Sequence, residues 1–177
     1  YILYKKSHLD KSSSDVYYNL SIISNMIDKI SGINYTPNDT YRLALEIEYK
    51  IDNLLKFFNI NSSSSNSNSN SDFFDKNPRD VFNISFELFN TIKSINKRAN
   101  IRSSNIVMPK EDNITPNTNY NKLRLIMATL SEFEINYGIN NKNPFIPIST
   151  KKIPNDVYVV IHRANEKLKK VLKNENY

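Results

Sequence analysis

A short motif of the form Pro-x-Asp-x-aromatic returns along this chain at near-constant intervals, and it fixes where helices begin. The copies are Ser13-Ser14-Asp15-Val16-Tyr17, Pro37-Asn38-Asp39-Thr40-Tyr41, Pro78-Arg79-Asp80-Val81-Phe82, Pro116-Asn117-Thr118-Asn119-Tyr120 and Pro154-Asn155-Asp156-Val157-Tyr158. The prolines at 37, 78, 116 and 154 stand 41, 38 and 38 residues apart, a regularity that marks a duplicated unit. The repeat speaks to architecture, and no catalytic, metal or cofactor motif stands beside it.

Each copy carries coincident helix-start signals. Thr36, Asn77 and Thr115 precede the proline, and their side chains can accept the orphan N–H groups of a first turn; Ile153, before the last proline, cannot. Proline at the first helical position loses no donor, because that N–H has no intrahelical partner. The acid two residues on can reach back to the cap residue and suits the positive end of the helix dipole. Apolar residues then follow at helical spacing. They are Val16, Leu20, Ile23, Ile27 and Ile30, then Tyr41 to Phe58, Val81 to Ile95, Tyr120 to Tyr137 and Val157 to Val171. The spacing predicts five helices near 13–31, 37–59, 78–100, 116–138 and 154–173. Gly32 and Gly138, the chain's two glycines, fall where left-handed C-terminal caps belong, which leaves none for a phosphate-cradling loop.

Only Gly32 to Thr36 joins the first two predicted helices, so they are expected to form an antiparallel hairpin. The run at 61–72 offers almost nothing apolar to bury and is expected to be a flexible insertion within one domain covering 1–177. The links 101–115 and 139–153 contain Ile106, Val107, Met108, Pro109, Phe145, Ile146, Pro147 and Ile148. These segments are expected to pack across the bundle as ordered links, with a brief strand pair as one option.

The composition removes several kinds of chemistry. With no cysteine, thiol catalysis, disulfides and cysteine-ligated zinc are excluded. The absence also leans the reading toward an extracytoplasmic location, periplasmic or secreted. His8 and His162 are the two histidines, and neither is surrounded by an elbow or oxyanion loop. Glu46 with Glu48 and Glu132 with Glu134 are each two residues apart and diverge around a helix, so no metal centre is expected; Glu46–Lys50 and Asp52–Lys56 fit surface i,i+4 pairs. Asparagine fills roughly one position in six, and Asn-x-Ser/Thr triplets such as those at 19, 38, 61, 83 and 113 are what that bias produces. The chain opens at Tyr1, which reads as a trimmed start, and no stretch has the apolar length of a membrane span.

Two groups remain as candidate sites. The aromatics at the fifth helical position, Tyr17, Tyr41, Phe82, Tyr120 and Tyr158, are expected to form a core layer near the helix entries rather than a ligand cage. Of the net charge of +6, residues 151–177 hold +4. There Arg163, Lys167, Lys169, Lys170 and Lys173 make a stripe that could meet nucleic acid or an anionic surface, or that simply solubilises the last helix and suits its dipole.

The expected object is an all-α, five-helix bundle or short helical-repeat array. A period of about 38 residues is the size of HEAT or TPR units, but those hold two helices each and the TPR consensus is missing. Such a chain is expected to act without cofactor or catalysis, as a scaffold or protein-interaction subunit whose partners are other subunits or copies of itself. The alternatives are a basic nucleic-acid or anionic-surface module, and a helical small-ligand carrier or enzyme without a local signature.

Overall fold

All four proline copies open a helix at the predicted residue. The computed structural model describes residues 13–60, 73–99, 113–139 and 144–173, and these hold five helices and no strand. They are α1 (Ser13–Ile30), α2 (Pro37–Phe57), α3 (Pro78–Arg98), α4 (Pro116–Asn136) and α5 (Pro154–Lys173). The predicted ends at 59, 100 and 138 each lie two residues beyond the last helical residue.

The capping chemistry explains the sharp starts. Asp39 accepts from the Thr36 N–H at 2.8 Å, and Asp80 accepts from the Asn77 N–H at 2.9 Å. Asn77 in turn accepts from the N–H groups of Arg79 and Asp80. At α4 Thr118 replaces the acid, and the two threonines bond reciprocally. Ile153 has no capping side chain, yet its N–H still donates to Asp156 at 3.0 Å. At the far ends, Gly32 and Gly138 take φ of 66° and 65°, and Asn59 takes 53° in the same role after α2. In all three cases the next residue's N–H bonds back into the helix, the closure that a left-handed cap permits.

The helices following the four prolines run parallel. Pro37, Pro78, Pro116 and Pro154 meet at one end, around a void they line with Thr40, Val81, Asn119 and Val157. At the other end Leu54, Ile95, Phe133 and Val171 converge with Phe58, Ile92, Leu130 and Leu168. Around the ring the order is α2, α4, α3, α5, and each helix packs on its two neighbours.

Counting each proline as position 1, the core is built from positions 4, 8, 11, 15 and 18, an alternation of three and four residues that is the heptad seam of a coiled coil. These positions stack as level layers. They are Thr40, Asn119, Val81 and Val157; Ala44, Leu123, Ser85 and Ile161; Ile47, Ile126, Leu88 and Ala164; Ile51, Leu130, Ile92 and Leu168; Leu54, Phe133, Ile95 and Val171. Every one of these side chains is buried. In the second layer small and large residues alternate around the ring, so Ala44 and Ser85 make room for Leu123 and Ile161. The repeat is therefore the device that puts four helices in register.

Positions flanking the seam tell the four interfaces apart. Lys50 of α2 pairs with Glu134 of α4, Lys122 of α4 lies over the Phe82 ring of α3 at 5.6 Å, Thr91 of α3 donates to Asn165 of α5 at 2.9 Å, and Lys167 of α5 bonds Glu48 of α2 at 2.7 Å. Two expected surface pairs are thereby corrected. Lys50 reaches across to α4 while Glu46 takes Arg42, and Asp52 takes Lys167 at 2.9 Å. Both side chains lean into a neighbouring helix, which a one-helix reading of i,i+4 spacing does not register.

The expected α1–α2 hairpin is also corrected. The turn at 31–36 does reverse the chain, but α1 lies along α4, not as a hairpin mate of α2. Tyr35 in that turn stacks on Tyr120 with ring centroids 3.7 Å apart, and its N–H donates to Asn117, steering α1 onto α4. The run 61–72 and the residues Ile106 to Pro109 lie outside the described segments. Of the last link, Phe145 and Ile148 do not pack as expected; they are 92% and 81% exposed.

Candidate functional site

The helix outside the parallel ring carries an exposed apolar seam. Val16, Leu20, Ile23, Ile27 and Ile30 are spaced four, three, four and three residues apart, the same seam period that builds the core. Here the seam faces solvent, with every one of the five more than half exposed and Ile30 at 86%. Met26 beside it and Ile33 just beyond the helix are exposed as well.

Among the described side chains of α1, the one buried against the bundle is polar. Asp28 is the buried residue among its described side chains; it accepts from the Tyr35 hydroxyl at 3.0 Å and faces Arg124 of α4 at 3.6 Å. Arg124 also donates to Ser24 at 2.9 Å. Burial, then the hydrogen bond to Asp28 and its negative charge, hold the Tyr35 hydroxyl above the usual tyrosine range. An amphipathic helix on a globular surface ordinarily buries its apolar stripe and solvates its polar face. In α1 the two are reversed.

The basic residues of α5 are distributed differently from a stripe. Arg163 clasps Glu48 through two nitrogens, and Lys167 bridges Glu48 and Asp52. Lys169 pairs with Glu166 at 2.6 Å, and Lys173 sits exposed in the last turn with Lys170 nearby. Burial alone would raise the Glu48 carboxyl, but the hydrogen bonds and charges of Arg163 and Lys167 outweigh it and hold the carboxyl below the usual value. A carboxyl depressed in the folded state stabilises above its unfolded pKa, near 4.5, and loses that contribution as pH falls toward the folded value. The stability advantage of the parent over Glu48→Gln, read from urea midpoints, is therefore expected to be full at pH 7 and to narrow from about pH 5 downward. A pH-independent gap would contradict this.

The entry aromatics pack near the helix entries as expected, beside the core rather than within it, with Tyr41, Tyr120 and Tyr158 against the core cluster. Position 4 fills the core, and the ring at position 5 lies half-buried between neighbouring helices. Tyr41 carries Lys152 over its face at 4.4 Å, Phe82 carries Lys122, Tyr120 stacks on Tyr35, and Tyr158 packs with Phe73 and His162. Each ring has its own partner and none converges on a common cleft. The Tyr17 side chain and His8 lie outside what is described.

The two bundle-end voids are about 10 Å³ each, room for one water against the roughly 300 Å³ or more of a ligand pocket. Among the described residues no group of three His, Asp or Glu is placed to hold a metal ion, and no helix is long and apolar enough to cross a membrane. Sequence periodicity identified the α1 seam but did not say which way it faces. No signal in the sequence indicates that Ser24 and Asp28, rather than the seam, would dock on α4. No family model, curated protein or solved structure matches this chain, so its function must be read from its own geometry.

Proposed function

We propose that the chain is a non-enzymatic protein-interaction module, a subunit of a larger assembly in which the parallel four-helix ring is a rigid frame and the outward seam of α1 is the contact surface. The observation that carries this reading is the reversed amphipathicity of α1: a coiled-coil seam more than half exposed at each position, on a helix anchored through Asp28 and Ser24. Contiguous apolar surface of that extent on a soluble protein marks an interaction site. The basic-surface alternative is less favoured because Arg163 and Lys167, two of its five cations, are already neutralised by Glu48 and Asp52.

A photo-crosslinking amino acid at position 23, in the protein expressed in its own cells, tests the reading directly. The expected result is a covalent adduct to a protein chain from position 23 and none from the exposed position 90 on α3. Equal labelling from both positions, or none from position 23, would overturn it.

A further inference from the structure

Resting on that reading, we infer that the occupant of the α1 seam is a second copy of this chain, joined through an isologous α1–α1 contact. The flanking residues carry this choice. In a coiled coil the positions beside the seam select the partner through their charges. With Leu20 and Ile27 at one seam position and Val16, Ile23 and Ile30 at the other, the helical flanks fall on Asn19 and Met26 on one side and on Tyr17 and Ser24 on the other, where the Arg124 cation beside Ser24 is paired with Asp28. None of these flanking residues is charged. A heterologous partner would have nothing there to recognise by sign, whereas two copies of this face meet without like-charge repulsion. The charged residues in α1's second half are placed elsewhere: Asp28 is turned into the bundle against Arg124, and Lys29 lies off the seam.

Area points the same way. The seam with Met26 and Ile33 exposes on the order of 600 Å² per copy, so two copies would bury about 1,200 Å² in total, the lower end of stable specific interfaces. An isologous contact uses the same patch on both partners and closes on itself, so a single stripe suffices and no complementary groove is needed elsewhere on the frame. The heptad period also matches, because the seam of a second α1 repeats every 3.5 residues and can offer a hole for every knob.

Sedimentation equilibrium on the full 177-residue chain, from about 1 to 100 µM, reads the proposal. The expected mass rises with concentration toward twice the 20.6 kDa of one chain. Ile23→Glu is expected to hold the protein at the single-chain mass with an unchanged far-ultraviolet circular dichroism spectrum. Because Ile30 is the most exposed seam residue, Ile30→Glu provides a second variant that leaves the α1–α4 contact untouched and is expected to raise the dissociation constant at least tenfold. A parent chain that stays at 20.6 kDa throughout the range overturns the inference, as does a dimer that persists in both variants. A monomeric parent that still crosslinks from position 23 to a different protein rejects self-pairing and leaves the interaction reading standing. A monomer with no adduct from that position rejects both.

Discussion

Deleting residues 61–72 is expected to abolish the cooperative fold, although the segment has nothing apolar to contribute beyond a single span of chain. The reason is direction. Ile60 closes the end of α2, its N–H bonded to the Leu55 carbonyl at 2.8 Å. Phe73 packs on Tyr158 and His162 in the opening turns of α5, with ring centroids 5.4 and 4.8 Å away. Because the helices are parallel, these two anchors are separated by most of a helix, about 24 Å at 1.5 Å per residue. The deletion would join Ile60 to Phe73 across one peptide, which spans about 3.8 Å. Removing only Ser62–Ser65 leaves eight residues between the anchors, with a reach near 30 Å, and is expected to change the urea midpoint little. A twelve-residue Gly/Ser replacement is expected to behave like the parent, since length is the only property required. If the full deletion unfolds with the parent's midpoint and cooperativity, α2 and α3 do not run in the same direction and the five-layer register is wrong.

That dependence on length shows which part of the fold was legible in the residues and which was not. The caps at Thr36, Asn77 and Thr115, with the acids or threonine behind the prolines, named the helix starts because capping is local chemistry. The layers were present too, since Ile51, Ile92, Leu130 and Leu168 each stand fourteen residues after their prolines. Relative direction is not local. The short turn between the first two helices spoke only to that pair, and 17 to 20 residues separate the successive helices α2 to α5, enough for an extended return along each one. The seam of α1 was found without its direction for a related reason. Periodicity reports that Val16 to Ile30 share a face; whether that face is buried depended on Arg124, a residue 100 positions from Ser24. Likewise Lys50 was within reach of Glu46 in sequence and chose Glu134, 84 positions away.

Substituting Lys50→Met is expected to cost about 3–5 kcal/mol, the range for removing one member of a buried ion pair. The Lys50 and Glu134 side chains are 9% and 7% exposed, so neither can fall back on bulk water when its partner is lost. The expected loss comes mainly from leaving the buried Glu134 carboxylate without its lysine, rather than from the attraction forgone. That distinction makes a further result predictable. The double variant Lys50→Met, Glu134→Leu is expected to return to within about 1 kcal/mol of the parent or exceed it, because well-packed apolar residues replace buried ion pairs at little cost. Chemical denaturation of parent, two single variants and double variant at pH 7 measures this in one cycle. Additive single losses, with no recovery in the double variant, would mean that the interface between α2 and α4 is held by its layers alone and that the Lys50–Glu134 contact adds nothing to it.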